Sequence, residues 1–271
     1  MSISNNQETN HQTFSTYIKK NLISKNIQTT LGNVGKSQRF VASLISAVAN
    51  NKSLSNCDYS TIIGAALLGE TLNLSPSPQL GHYFIVPYKG KATFQLGYKG
   101  YIQLAIRSGQ YRRINVLSIK KGELVKYDPL NEEIEVNLIS DELKREAAET
   151  IGYYAMFELT NSFRKSLYWT KNKMEAHAKK YSQAYSAKNN EYSFWTINFD
   201  EMAYKTLLRQ LISKWGIMSI DLQNAFVNDM AFQDEQGNQK YLDNPNESLH
   251  EIIEQPEPSE EVEVIKLGDI T

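Results

Sequence analysis

Cationic and aromatic side chains interleave along one long stretch of this chain. From Thr71 to Gly122 the sequence has no Asp or Glu but is rich in Tyr, Gly and Gln. Its cations are Lys89, Lys91, Lys99, Arg107, Arg112, Arg113, Lys120 and Lys121. Protein surfaces usually mix both charges, so a one-sign segment of this length indicates binding to a polyanion. Because Lys and Arg can follow phosphates while bases stack on rings, the pattern favours single-stranded nucleic acid.

A second basic region spans residues 161–215, with 10 Lys and Arg against 4 Asp and Glu. Lys205 and Arg209 are four residues apart and share one face of a predicted helix, whereas Lys214 lies on the opposite side. Lys214 could instead complement the dipole at the end of that helix. Trp195 is either a core residue or a platform for a stacked base, and core is the commoner fate of a lone Trp.

These patterns predict which residues contact DNA. The expected phosphate contacts are Lys91, Lys99, Arg107, Arg112, Lys205 and Arg209, and secondary contacts are Lys89, Lys214, Tyr101 and Trp195. Gly97, Gly100 and Gly109 are expected to let the backbone approach DNA or turn tightly, although helix capping also explains Gly109. Any single Tyr or Trp in these regions could equally be part of a hydrophobic core.

Other site chemistries find little support in the sequence. Gly32–Ser37 looks like part of a phosphate-binding loop, but Thr30 stands where that motif requires its first Gly. The four His residues are scattered, and neither a zinc motif nor a G-x-S-x-G nucleophile turn occurs. Glu132, Glu133 and Glu135 fit the solvated face of a strand. We therefore expect no catalytic residue, no metal and no cofactor.

Charge is distributed unevenly along the 271 residues. Residues 1–218 contain 27 Lys and Arg against 17 Asp and Glu, whereas residues 219–271 contain 2 against 13. A basic body with an acidic tail is typical of proteins that bind nucleic acid. The single Cys57 indicates a reducing compartment, and we find neither a signal peptide nor a membrane span. We expect a cytoplasmic protein.

Hydrophobic periodicity places these residues on an α+β fold in which an antiparallel hairpin and sheet pack with helices. Helices are predicted over residues 36–50, 58–72, 97–108, 170–181 and 200–215, with the last ending at Gly216. Strands are predicted over residues 82–88, 91–96, 113–119, 133–138, 151–159 and 164–170. We expect a flexible segment over residues 1–30, one core domain over 31–225 and a disordered acidic tail over 226–271.

Three short tracts carry a more specific pattern. They are Val86-Pro87-Tyr88, Phe94-Gln95-Leu96-Gly97-Tyr98-Lys99-Gly100-Tyr101 and Arg107-Ser108-Gly109-Gln110-Tyr111. Together with Lys214-Trp215-Gly216, they resemble the phage and prophage RecT family of single-strand annealing proteins. The resemblance extends over about residues 36 to 221.

This resemblance implies an ATP-independent recombinase, not an enzyme with covalent catalysis. It would bind single-stranded DNA, pair it with a complementary strand into an annealed duplex and assemble as a homo-oligomeric ring or helical filament. A partner exonuclease and a host single-strand-binding protein are also implied. Two other functions stay open from the residues alone: a metal-dependent nuclease using Glu132, Glu133 or Asp128, and an RNA-binding or chaperone module.

Overall fold

The computed structural model describes residues 13–188, 190–191, 193–233 and 239–241. Its helices are α1 (Phe14–Ile18), α2 (Asn21–Leu31), α3 (Val34–Asn50), α4 (Tyr59–Thr71), α5 (Tyr98–Arg107), α6 (Glu142–Ala147), α7 (Lys171–Tyr181), α8 (Gln183–Ser186), α9 (Phe194–Ile197), α10 (Phe199–Trp215) and α11 (Ile220–Asn228). A 3-10 helix covers Lys52–Asn56. The strands are β1 (Tyr83–Tyr88), β2 (Lys91–Leu96), β3 (Tyr111–Lys120), β4 (Leu124–Asp128), β5 (Glu133–Val136), β6 (Thr150–Leu159), β7 (Arg164–Thr170), β8 (Ala231–Gln233) and β9 (Gln239–Tyr241).

A three-stranded antiparallel sheet, in the order β3-β6-β7, forms the centre of the fold. Successive side chains of a strand point to opposite faces, so the sheet has an inner and an outer face. On the inner face, Tyr153, Ala155 and Phe157 are fully buried against α7 and α10. The outer face is open around Asn115 and Tyr154, whereas Tyr168 on the same face is buried and packs against Tyr127 of β4.

The β1-β2 hairpin packs on α4 and confirms the predicted turn at Lys89-Gly90. Both residues have positive φ, 46° and 76°, as the tightest hairpin turns require. The α+β class predicted from the sequence is confirmed. Strand β4 was not predicted, because Val125 and Tyr127 are exposed and its pattern lacks a buried face.

Two glycines serve a different purpose from the predicted one. A Cβ atom on Gly97 would lie 2.2 Å from the Gly81 carbonyl oxygen, and one on Gly100 would lie 2.1 Å from that of His82. They therefore permit α5 to pack directly on the backbone before β1, rather than providing room for DNA. Gly109 has a φ of 70° just after α5, which agrees with a helix cap.

The folded part extends beyond both predicted ends of the core. Within the segment predicted to be flexible, α1 and α2 bury Phe14, Ile18 and Ile27. At the other end, Phe226 and Asp229 are 2% and 3% exposed, although the predicted core stops at residue 225. The acidic tail from residue 242 onward lies outside the described residues. Among those that are described, no helix has the length and apolar character needed to cross a bilayer.

Candidate nucleic-acid interface

Three arginines meet on the outer face of the central sheet. Arg113 on β3 and Arg164 on β7 both lie directly opposite Glu158 on β6. The strand register therefore places the two arginines on either side of Glu158 in one row. A β-bulge between Tyr111 and Arg113 leaves Arg112 without its own ladder partner. The Arg112 Nη1 atom donates to Glu158 Oε1 at 3.1 Å. We call Arg112, Arg113, Arg164 and the half-buried Tyr154 the arginine face.

A concave surface of about 570 Å³ lies over the arginine face. Its lining residues are Ile106, Tyr111, Arg112, Arg113, Ile114, Asn115, Tyr154, Met156 and Arg164. No acid occurs among these described lining residues, and the neighbouring Glu158 can balance only one of the three guanidinium groups. Guanidinium groups bind phosphates in a planar, two-bond geometry, and a Tyr ring offers a surface for base stacking. This surface can therefore hold a phosphodiester strand.

Burial and hydrogen bonding stabilise the edge of this surface. The Tyr111 hydroxyl donates to the Ile217 carbonyl oxygen at 2.9 Å. Burial raises the pKa of Tyr111 to about 12. Gly216 is needed here, because a Cβ atom on it would lie 2.4 Å from the Tyr111 hydroxyl oxygen. Its φ of −82° shows that close packing, not a left-handed cap, requires glycine after α10.

Four of the predicted contacts remain on the surface as exposed cations. Lys89 lies at the hairpin tip, with its Nζ atom 5.3 Å from the centre of the Tyr88 ring, and Lys91 follows at the start of β2. Lys99 lies in the first turn of α5, 5.9 Å from the Tyr98 ring. Lys214 is exposed at the end of α10. Their positions are compatible with phosphate contacts, which stay a prediction.

Arg107 has a structural role that its helical spacing did not reveal. Its guanidinium donates to the carbonyl oxygens of Leu72 at 2.7 Å and Asn73 at 2.8 Å, and lies 3.4 Å from an Asp221 carboxylate oxygen. The two carbonyl groups end α4, where a cation also complements the helix dipole. Arg107 therefore joins α4, α5 and α11. Asp221 is its acidic partner.

The residues Tyr101, Lys205, Arg209 and Asp229 form what we call the buried cation cluster. Asp229 Oδ1 accepts from Lys205 Nζ at 2.9 Å, and Asp229 Oδ2 accepts from the Tyr101 hydroxyl at 2.8 Å and from Arg209 Nη1 at 3.2 Å. The Leu96 amide also donates to Oδ1 at 2.9 Å. Burial, and then the Asp229 charge, raise the pKa of Tyr101 well above its usual value.

This placement corrects three of the predicted DNA contacts. Lys205 is 5% exposed, Tyr101 0% and Trp195 4%, so none of these side chains is available at the protein surface to bind a phosphate or stack on a base. Arg209 is half-buried and shares the same carboxylate. Helical spacing correctly placed Lys205 and Arg209 on one face of α10, but it did not reveal that the face is internal. Asp229 lies outside the predicted core and was not considered as their partner.

Sequence reasoning also missed candidates. Arg113 and Arg164 were not among the predicted contacts, although alternation along β3 and β7 could have paired them once the strand register was known. Trp215 is 37% exposed and lies under two ammonium groups, Lys165 Nζ at 4.4 Å and Lys214 Nζ at 5.9 Å from its ring centre. It is a better stacking candidate than Trp195, because part of its ring reaches solvent.

The acids considered for a nuclease centre have structural partners. Glu132 accepts from Lys165 Nζ at 2.6 Å, and Glu133 accepts from Lys126 Nζ at 3.0 Å. Asp128 accepts from the Leu130 amide at 2.9 Å in the turn before β5. Within the described part of the chain, no three His, Cys, Asp or Glu residues are grouped to hold a metal ion.

Comparison with known proteins agrees with the tracts noted in the sequence. A family model described as the RecT family matches residues 38–243. Over 231 residues the chain is 42% identical to "Uncharacterized protein YqaK" of Bacillus subtilis (strain 168), which covers 85% of this chain and 75% of that protein. It is 28% identical over 197 residues to "Protein RecT" of Escherichia coli (strain K12), which covers 69% of each.

Proposed function

The chain belongs to the RecT family, and we propose that it binds single-stranded DNA and pairs it with a complementary strand, without ATP. Members of this family act as single-strand annealing proteins in recombination. The observation that carries the proposal is the arginine face, where Arg112, Arg113 and Arg164 lie beside Glu158, the partner of Arg112, on an exposed part of the sheet. Lys89, Lys91, Lys99 and Lys214 are proposed as further phosphate contacts.

The chemistry of annealing fits a protein without a catalytic centre. Pairing two strands breaks no covalent bond, so the protein has to reduce phosphate repulsion and leave the base edges available. Contacts to phosphate carry no sequence information, which suits a protein that pairs complementary strands of many different sequences.

ATP independence is supported by the local structure of the loop that resembles a nucleotide-binding motif. Gly32 has a φ of 65° and ends α2, and the Asn33 side chain accepts from the Lys36 amide at 2.9 Å to begin α3. Gly32–Ser37 thus ends one helix and begins the next. The cap at the end of α2 and the cap at the start of α3 are both made by groups of the chain itself, without a phosphate.

We further propose that copies of the chain assemble as a ring or filament in the cytoplasm, with an exonuclease and a host single-strand-binding protein as partners. Apolar side chains at several surface positions support self-association: Leu22 is 72% exposed, Leu143 79% and Ile220 76%. Assembly along one strand would add the phosphate contacts of many subunits through avidity.

Salt-dependent binding and strand pairing test this function together. Each phosphate contact contributes roughly −0.7 to the slope of log affinity against log salt for a single strand. The triple substitution Arg112→Ser, Arg113→Ser and Arg164→Ser should therefore make the slope about 2 units less negative and slow the pairing of complementary oligonucleotides. Removal of three exposed cations elsewhere, by Lys52→Ser, Lys126→Ser and Lys144→Ser, is the matched control and should change both quantities much less.

An affinity that does not depend on salt, or equal effects of the two triple substitutions, would contradict the assignment of the arginine face. Incubation of end-labelled DNA with Mg²⁺ distinguishes the nuclease alternative, since a nuclease shortens the strand. Competition between RNA and DNA oligonucleotides distinguishes an RNA-binding module.

A further inference from the structure

A second, smaller cavity of about 250 Å³ lies between the β1-β2 hairpin, the start of α5, and helices α9 and α10. Its buried lining residues include Gln95, Leu96 and Met202, and its exposed ones include Lys99 and Glu201. Pockets for drug-sized ligands usually measure about 300–1,000 Å³. This cavity is therefore suited to one small ring system.

Gln95, one of the residues that line this cavity, has an unsatisfied acceptor. The residue is 2% exposed, and its Oε1 atom has no hydrogen-bond partner among the described residues. Its Nε2 atom lies 3.5 Å from the Met202 sulfur, which is a weak acceptor. A buried polar atom without a partner costs free energy, and native structures rarely leave one. A ligand that offers both a donor and an acceptor would satisfy the Gln95 amide.

The other walls are aromatic. Phe84 lies directly opposite Gln95 in the hairpin register, so the two side chains share one face of β1-β2. The rings of Phe84 and Phe194 are 6.1 Å apart, and Tyr98 also lines the cavity. Such a wall favours a flat, conjugated ligand.

The charges around the cavity favour a neutral group inside it. Lys205 lines the cavity, but its ammonium is bonded to Asp229 at 2.9 Å. Glu201 adds a carboxylate to the lining and would repel a phosphate group placed inside the cavity. Lys99, at the opening, is placed to contact the phosphate attached to a group that enters.

We propose that this cavity receives one unstacked base of single-stranded DNA, with adenine preferred, and that Gln95 recognises it. This inference rests on the proposed binding of single-stranded DNA. Gln forms a two-bond contact with adenine in which its carbonyl oxygen accepts from N6 and its amide donates to N7. A bound adenine would thus supply the partner that Oε1 lacks and a stronger one than sulfur for Nε2.

The test compares two oligonucleotides and two proteins in the full chain. The first oligonucleotide is oligo(dA). The second is an oligomer of 2′-deoxynebularine, whose unsubstituted purine base lacks the 6-amino group of adenine, and it has the same phosphate backbone. Wild-type protein should bind oligo(dA) about tenfold more tightly, which corresponds to about 1.4 kcal/mol. Gln95→Leu, which removes both polar atoms with little change in size, should bind the two oligomers equally, at the weaker of the two affinities. A melting curve verifies that this variant is folded.

If wild-type protein binds both oligomers equally tightly, the base pocket is overturned while DNA binding stands. The same conclusion follows if Gln95→Leu keeps the wild-type preference for oligo(dA). If wild-type protein binds neither oligomer, DNA binding fails and the pocket fails with it. The comparison of the two oligomers with wild-type protein tests the base pocket even if Gln95→Leu does not fold. Only the base is changed in that comparison, and the protein is the same.

Discussion

The arginine face and the buried cation cluster contain the same kinds of residue in opposite environments. On the arginine face, Arg112 pairs with Glu158, and Arg113 and Arg164 lie beside the same residue in the strand register, in a concavity open to solvent. In the buried cation cluster, Lys205 and Arg209 converge on Asp229, whose side chain is 1% exposed. The first arrangement leaves positive charge available to a ligand, and the second uses it inside the protein.

This contrast shows that a Lys or Arg in the sequence indicates a binding site only when the position of its neutralising acid is known. Lys205 and Arg209 come from a basic helix, and Asp229 follows α11, so the neutralising acid is 20 or more residues away in sequence. Glu158 approaches its arginines only through the strand register. A basic region in the sequence therefore contains both exposed cations and cations with structural partners, and folding separates them.

Removal of Asp229 should have the largest effect. Asp229→Asn leaves Lys205 and Arg209 buried without a full counter-charge, and breaking a buried ion pair by removing one partner costs about 3–5 kcal/mol. We expect a loss of this size in the free energy of unfolding, measured by denaturant titration. Asp221→Asn, which removes an acid 54% exposed beside Arg107, is the control and should cost less than about 1 kcal/mol. Equal effects would contradict the distinction between the two environments.

His177 is a titratable group that is half-buried beside cations and, among the described residues, not beside an acid. The charged neighbours that lower its pKa are Lys173 and Lys180. Burial, and then these lysines, lower its pKa from 6.5 to about 4. As pH falls through this interval, the unfolded chain binds the proton first, so stability is lost from about pH 6.5 down to about pH 4. The loss approaches about 3 kcal/mol.

His177→Phe should reduce that loss while keeping an aromatic ring against Trp169 and Tyr181. The measurement is the difference between variant and wild type in unfolding free energy at pH 7 and pH 4.5. An identical pH dependence of the two proteins would show that folding does not lower the pKa of His177.

Two substitutions to Met compare one cation from each region. Lys205→Met removes a charge-assisted hydrogen bond and should cost about 2 kcal/mol of stability, without changing the salt slope of DNA binding. Arg113→Met should change stability by less than about 0.5 kcal/mol and make the slope about 0.7 less negative. Denaturation and anisotropy titrations on the same preparations give both quantities. A shallower slope for Lys205→Met would return that residue to the DNA interface.

Arg107 is partly exposed but has structural partners, so its substitution should have a smaller effect on stability than that of Asp229 or Lys205. Its substitution by Ala removes two hydrogen bonds to the end of α4 at a partly exposed site, and we expect a loss of about 1 kcal/mol. Lys99→Ala should change stability by less than about 0.5 kcal/mol and weaken DNA binding. If Arg107→Ala lowers DNA affinity without lowering the melting temperature, its contacts with Leu72 and Asn73 are dispensable.

Much of the fold could be predicted because its signals are local. The turn at Lys89-Gly90 depends on two adjacent residues, and the α3 helix depends on the spacing of Phe40, Leu44 and Val48. Strand β4 and helices α1 and α2 could not be predicted in this way. Their apolar residues are few, and burial of Phe14 and Ile18 depends on packing with later parts of the chain.

The sequence by itself determined that this chain has a basic body, an α+β fold and the tracts of the RecT family, since composition and local periodicity need no knowledge of distant contacts. Only the tertiary structure decided which cations can meet DNA. Sequence spacing places Lys205 and Arg209 on one side of α10 but contains no information on what covers that side. The register of β3, β6 and β7 brings Arg113 and Arg164 together from positions 51 residues apart. Charge availability depends on such long-range contacts, because burial and a nearby counter-charge are properties of the folded chain.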